Sequence, residues 1–554
     1  MASEINTVGV IGLGTMGAGI VEVFARGGCT VIGVETTTPY ADRGRAILQG
    51  STDRAVAKGK LDKAGQQQIL DRITISTQMA DLAPAHLVVE AVPETIDLKR
   101  AVFGELDGIV RPDAVLASNT SSLSITQIAA TTAHPGRVVG MHFFNPAPVL
   151  KLVEVITTLG TDPEVTASVA DVAQRLGKKP VVVGDRAGFV ANYLLFGYLN
   201  SAMRMLEHGH VSREDLDTAM RVGAGLPMGP LTLMDLIGLD VCDHIGEVIY
   251  THSRSPLHAP SAMLQQLVTC GRTGRKSGRG FYTYAKAGGA QVVADDDTPA
   301  PGEPRELRAV GVVGTGALAD ELVARLTEGG YAVTHADDPS DLEPLADVGL
   351  VIEAKEEAQE EVAGDTGDVA GQGSDADELF ARLGEVTAPG TVLATANSYS
   401  AAALAARSGR PEESAVLRMH APTGNGQVIE IGRTVATSTV TVDTLRAVVT
   451  AMGAEPVVCR DRTGLVVDAL LVPHLNDAVR MCEQGYASVA DVDTAIQYGL
   501  GYPMGPFAMI DRIGADEVLA VCEELLTGTD GFQAHLVPSP LLVEHVLLDR
   551  PFTG

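Results

Sequence analysis

Two stretches of this chain, 302 residues apart, carry the same order of residues. The first, TVGVIGLGTMGAGIVEVFARGGCTVIGVE, runs from Thr7 to Glu35; the second, RAVGVVGTGALADELVARLTEGGYAVTHAD, runs from Arg308 to Asp337. Gly314, Gly316 and Asp337 thereby answer Gly12, Gly14 and Glu35. Each stretch is a short apolar run, a glycine turn, a segment with helical spacing, and a second apolar run that ends in an acid. That alternation predicts a strand, a crossover helix and a parallel strand, and its recurrence predicts a tandem duplication.

In the first copy, Thr7–Ile11 reads as a buried strand, Ala18–Arg26 as a helix and Thr30–Val34 as a second strand. Gly12, Gly14 and Gly17 form G-x-G-x-x-G, with Thr15 and Met16 between the last two. Glycine there lets the backbone approach a pyrophosphate at a helix N-terminus, whose unpaired N–H groups favour an anion. Glu35 stands where an acid reaches the ribose hydroxyls of a bound dinucleotide and repels a 2'-phosphate. These features predict a Rossmann-like domain that takes NAD. In the second copy Ala319 replaces the third glycine.

Residues 40–68 interrupt the alternation with a polar stretch that reads as a helical hairpin bearing Arg43, Arg45, Arg54, Lys58, Lys60 and Lys63. With a formal net charge of −29, the chain is unsuited to a nucleic-acid backbone, and an anionic substrate needs such a local basic patch. A solvated helix face is the alternative reading of the same residues. Strands resume at Leu87–Glu90, Val115–Ser118 and Val138–His142. Ser121 and Asn145 come directly after strands, at the sheet edge where ligands of such folds bind.

The segment HFFNPAPVLKLVE, residues 142–154, sets a histidine and a glutamate on either side of a Pro-containing connection. Oxidation of a secondary alcohol by hydride removal needs a base for the hydroxyl proton, and an imidazole steadied by a carboxylate is one near neutral pH. From Asp185 the periodicity turns helical, through DRAGFVANYLLFGYLNSAMRMLEHG and GLPMGPLTLMDLIGLD, up to about residue 286. The expected units are residues 1–184, 185–286, a linker at 287–307 rich in Gly, Pro, Ala and Asp, then 308–460 and 461–554. An α/β domain followed by an all-α domain, the pair repeated, is the expected fold.

Six scattered cysteines without a C-x-x-C pair suggest a reducing compartment and no structural zinc. The N-terminus lacks a leader pattern and no run reaches membrane-spanning length, so a cytoplasmic protein that binds no membrane is expected.

The strings VVEAVPET (88–95), SNTSSL (118–123), HFFNP (142–146), KLVEV (151–155), GFVANYLL (188–195), GLPMGPLTLMDLIGLD (225–240) and GRKSGRGFY (274–282) together resemble the (S)-3-hydroxyacyl-CoA dehydrogenases. The resemblance is collinear from about residue 5 to 286. It implies that His142 is the catalytic base and Glu154 the carboxylate that orients it. By the same resemblance, Ser121 and Asn192 bond the reacting part of the acyl chain and the nicotinamide region. Glu94, Lys99 and Asn145 correspond to cofactor contacts, and Ser51 and Lys58 to hairpin positions that touch coenzyme A. An acyl-CoA thioester is then the substrate, a short one such as 3-hydroxybutyryl-CoA or, alternatively, the 3-hydroxyadipyl-CoA of phenylacetate breakdown. A same-fold dehydrogenase of a free hydroxy acid is the competing reading.

The second copy departs from the first where chemistry is expected. Asp337 to Glu353 spans 16 residues against 55 from Glu35 to Glu90, so the basic hairpin is missing. An acidic, glycine-rich insertion at 360–378 reads as a disordered surface loop. HFFNP becomes HAPTG, leaving His420 and Glu430 without a match for Asn145, and Asp468 takes the place of Asn192. The helical segments repeat better, with Pro506 and Asp511 answering Pro230 and Asp235 at an offset of 276. Because the resemblance implies dimerisation through the helical domain, the expectation is an internal pseudo-dimer, with further homodimerisation open. The second half is then a scaffold or, alternatively, a surviving second site.

Overall fold

The computed structural model describes residues 5–300, 302–354, 373–397, 399–528 and 535–553. The first sheet contains β1 (Thr7–Ile11), β2 (Thr30–Val34), β3 (Ile73–Ser76), β4 (Leu87–Glu90), β5 (Val115–Ser118), β6 (Val138–Phe143), β7 (Leu152–Thr157) and β8 (Lys179–Gly184). Their spatial order is β3-β2-β1-β4-β5-β6-β7-β8, and pairing is parallel except between β6 and β7. The apolar runs of β1, β4 and β5 are buried along nearly their whole length, as expected for strands covered on both faces. The order reverses between β1 and β4, which opens a crevice at their carboxyl ends.

The strands expected in this half are present, and β3, after the hairpin, is one that the residue pattern does not announce. The hairpin itself is two helices, Thr38–Ala57 with Pro39 in its first turn, and Lys63–Asp71, whose first turn is capped by the Asp62 carboxylate on the Gly65 N–H at 2.7 Å. A small antiparallel pair, β9 (Thr283–Tyr284) and β10 (Val292–Val293), closes the first helical domain.

Beyond β10 the stretch expected to be an exposed linker is partly docked: Asp295 accepts from Arg213 and from the hydroxyls of Thr283 and Thr298. The Arg213 guanidinium pulls the Asp295 carboxyl well below its usual range.

The second sheet runs β12-β11-β13-β14-β15-β16-β17, from β11 (Ala309–Val313), β12 (Ala332–Ala336), β13 (Leu350–Glu353), β14 (Val392–Thr395), β15 (Ser414–Met419), β16 (Val428–Arg433) and β17 (Glu455–Arg460). Among the described residues it lacks a counterpart of β3, because the chain from Asp337 to Glu353 is too short to leave the sheet and return. Of the acidic insertion, residues 360–372 lie outside the described residues. The rest opens the helix Gly373–Val386, so the expected loop does not extend past residue 372.

The helical domains of the two halves meet along equivalent elements. Helix Ala191–Glu207 packs on helix Val467–Glu483, and one continuous apolar cluster includes residues of both. Helix Val489–Gly499 of the second half lies against β7 and β8, while Arg213–Thr218 of the first half lies against β17. Tyr486 donates its hydroxyl to the Gly184 carbonyl at 2.9 Å, and Arg446 pairs with Asp215 at 2.8 Å. No helix among the described residues is long and apolar enough to cross a membrane.

Candidate active site

His142 on β6 and Glu154 on β7 are cross-strand partners in an antiparallel pair, so both side chains emerge on the same face. Nδ1 of His142 lies 2.7 Å from Oε2 of Glu154. The other carboxylate oxygen, Oε1, accepts the backbone N–H groups of Val190 and Ala191, each at 3.0 Å. Glu154 is 0 % exposed, and its negative charge caps the start of helix Ala191–Glu207, where the helix dipole favours an anion. Three hydrogen bonds thus fix a buried carboxylate, which in turn fixes the ring. His142 is 5 % exposed and lies between Phe144 and Phe189, with ring centroids at 4.4 and 5.7 Å. With Nδ1 donating to Glu154, Nε2 carries the lone pair of a base. Phe144 itself rests on the second half, since a Cβ on Gly499 would stand 3.4 Å from its ring.

A second polar cluster occupies the crevice end of β4. Glu90 accepts from the Val92 N–H at 2.6 Å, from Lys99 Nζ at 2.7 Å and from the Ser118 hydroxyl at 2.7 Å. Lys99 also reaches Glu94 at 3.2 Å, and Glu94 accepts from the Thr120 hydroxyl at 2.5 Å and the Ser121 N–H at 2.8 Å. Burial alone would raise the Glu94 pKa, but Lys99 and these donors outweigh it and hold the carboxyl below its ordinary range. Lys99 is fully buried, so it is tied to these two carboxylates and not exposed to the crevice.

The fingerprint turn fits a dinucleotide. A Cβ on Gly17 would stand 1.7 Å from the Gly12 carbonyl oxygen, whereas a Cβ on Gly14 would meet nothing within 4 Å. Gly14 precedes helix Thr15–Arg26, which carries no side-chain cap, leaving its first N–H groups for an anion. Glu35, at the end of β2, accepts from the Leu13 N–H at 2.7 Å and the Thr36 N–H at 3.0 Å, which holds the acid beside that turn. Ser51 and Arg54 of the hairpin line a cleft together with Thr15, Asn145 and Pro146. Lys58 is exposed at the far end of the same helix, Ser121 is half-buried beside Glu94, and Asn192 is half-buried in the first turn of the helix that Glu154 caps. Sequence reasoning missed Asn119, whose side-chain oxygen accepts the Phe143 N–H at 2.8 Å and so steadies the histidine strand.

In the second half the equivalent histidine is bound differently. Nε2 of His420 lies 2.7 Å from Glu430, and Nδ1 faces Asp468 at 3.9 Å. Both nitrogens therefore point at carboxylates. Burial works against a charged ring, yet Glu430 and Asp468 prevail, and the His420 pKa stands above its ordinary value. The loop that comes next turns to the other half: Thr423 donates to the Val222 carbonyl at 2.6 Å and Asn425 to the Arg221 carbonyl at 2.7 Å.

Comparison with known proteins bears on this geometry. The family model described as 3-hydroxyacyl-CoA dehydrogenase, NAD binding domain, matches residues 7–186 and again 374–462. The corresponding C-terminal domain matches residues 188–284 and 464–551. This chain belongs to the 3-hydroxyacyl-CoA dehydrogenase family. It is an NAD-dependent dehydrogenase in which the domain pair occurs twice, although the second NAD-binding match begins only at residue 374, past the altered fingerprint.

A 3-hydroxybutyryl-CoA dehydrogenase of Mycobacterium tuberculosis is 46 % identical over 286 residues, which is 51 % of this chain and 100 % of that protein. A 3-hydroxyadipyl-CoA dehydrogenase of Escherichia coli K12 is 32 % identical over 531 residues, covering 95 % of this dehydrogenase and 94 % of the relative. The crystal structure of a 3-hydroxybutyryl-CoA dehydrogenase from Escherichia coli K12 superposes with a TM-score of 0.73 at 29 % identity and covers 98 % of both chains.

Proposed function

We propose that the dehydrogenase oxidises a short-chain (S)-3-hydroxyacyl-CoA, such as 3-hydroxybutyryl-CoA, to the 3-oxoacyl-CoA at a single site in its first half. The observation that carries this is the His142–Glu154 pair: one ring nitrogen is held by a buried carboxylate and the other is left as an acceptor. His142 Nε2 takes the 3-hydroxyl proton, and Glu154 stabilises the imidazolium that results. NAD, when bound on the Gly12–Gly17 turn with Glu35 at its ribose, supplies the hydride acceptor. Ser121 and Asn192 orient the acyl group. Asn145 and Glu94 contact the cofactor side, and Lys99 acts by holding Glu94 in place. Ser51, Arg54 and Lys58 receive the phosphates of coenzyme A.

The two halves form an internal pseudo-dimer whose second site is degenerate. Reciprocal packing of each helical domain on the opposite sheet supports this, as does the binding of His420 Nε2 by Glu430 with the Asp468 carboxylate 3.9 Å from Nδ1. Cytoplasmic residence is in keeping with six free cysteines.

A panel of hydroxyacyl-CoA thioesters and the matching free acids, assayed by NADH formation, tests the substrate reading. Turnover of the C4 thioester with inert free acid is expected; preference for a dicarboxylyl thioester would move the assignment to the hydroxyadipyl class. The 3-hydroxyadipyl-CoA dehydrogenase that aligns over 95 % of the chain favours that second reading, and the 3-hydroxybutyryl-CoA dehydrogenase structure that covers 98 % of it favours the first.

A further inference from the structure

The connection from His142 to Glu154 sits on a seat that the second half has lost as a unit. Lys178 is 7 % exposed, and its ammonium donates to the Ala147 carbonyl at 2.5 Å and to the Leu150 carbonyl at 2.7 Å, pinning the loop from below. Helix Thr15–Arg26, which also faces Lys178, presents Gly19 to the same loop, where a Cβ would stand 3.2 Å from Ala147 Cβ and 3.3 Å from Pro148 Cδ. Between these supports the loop presents Asn145 and Pro146 to the cleft that Thr15 and Ser51 also line.

The second copy serves as an internal comparison. Glu321 stands at the place of Gly19, and Ala454 at that of Lys178. The connection from His420 to Glu430 is two residues shorter, and the loop bonds instead to carbonyls of the first half. Residues with no direct part in hydride transfer have thus changed together with Asn145.

We propose that Gly19 and Lys178 form a seat that holds the Asn145 loop against the dinucleotide site, making Lys178 a positioning residue for cofactor binding in the first half. The proposal rests on the cofactor part of the functional reading above. Burial, and then Arg26, bring the Lys178 pKa down to about 8, with Glu22 opposing; both Arg26 and Glu22 face it from helix Thr15–Arg26. A neutral amine keeps donor hydrogens but loses the charge assistance of its two hydrogen bonds.

The test uses the full chain and its Lys178→Met and Gly19→Val variants, with NADH as the probe in fluorescence titrations and thermal melting as the fold control. In K178M the Kd for NADH rises roughly tenfold or more at neutral pH, the loss expected for a charge-assisted hydrogen bond. The KM for the CoA thioester rises less than the Kd for NADH, because Lys178 bonds the loop and not the hairpin, although both line one cleft. The parent chain loses NADH affinity as pH passes about 8, whereas K178M shows no such step. G19V displaces the same loop at Ala147 and Pro148, reproduces the NADH defect, and keeps the proposal testable if K178M does not fold. NADH affinity unchanged in both variants, or an equal loss of NADH and thioester affinity, would overturn it. A defect in NADH binding in a chain that turns over no thioester would leave the seat standing and remove the substrate reading instead.

Discussion

Replacing Glu154 by glutamine exchanges one oxygen for an NH2 group without changing the shape, and the surrounding donors dictate how the new amide must sit. Its remaining oxygen can accept the Val190 and Ala191 N–H groups that Oε1 accepts now, each at 3.0 Å. The NH2 must then face Nδ1 of His142, 2.7 Å away, and donate to it. Nδ1 becomes the acceptor, so the proton moves to Nε2, where the substrate hydroxyl needs a lone pair. Loss of the carboxylate opposite the forming imidazolium removes a charged hydrogen bond worth about 1.5–3 kcal/mol, or roughly 10- to 150-fold in rate. The wrong tautomer adds to this, for a total on the order of 10²- to 10⁴-fold in kcat. Steady-state NADH formation measures it, with NADH affinity and thermal melting as controls. A folded E154Q chain with kcat within about threefold of the parent would refute the tautomer argument.

Buried charge gives two further expectations. Lys99→Met leaves the buried Glu90 and the partly exposed Glu94 without their shared cation, so urea denaturation should show a loss of about 3–5 kcal/mol; a loss under about 1 kcal/mol would mean the cluster is not a buried ion network. His420 is raised above its ordinary value of about 6.5, so its protonation stabilises the fold fully below about that pH and the contribution fades as pH rises through the folded value. His420→Asn should therefore flatten the decline of thermal stability from mildly acidic to alkaline pH, and an unchanged slope would contradict the assignment.

The parts of the fold that were legible in the sequence are those encoded locally. The glycine turn, the strands on either side of it and the terminal acid lie within one strand–helix–strand unit, so residue spacing announces them. The basic hairpin was visible from its length and charge. The contacts that complete the site are long-range and leave no local trace. Glu154 meets Val190 and Ala191 across 36 and 37 residues, and Asp295 meets Arg213 across 82, which turns an apparent linker into a docked strap. His420 and Glu430 resemble the His142–Glu154 pair in sequence, and the placement of Asp468 and the reversed ring set them apart. The role of Lys178 was equally hidden, because its partners are backbone carbonyls.

Turnover of 3-hydroxybutyryl-CoA by His142→Gln and His420→Gln, compared in otherwise identical chains, tests the claim of one working base most directly. H142Q should lose on the order of 10²- to 10⁴-fold in kcat with NADH affinity nearly unchanged. H420Q should stay within about twofold of the parent. Comparable losses in both, or a loss confined to H420Q, would contradict the account.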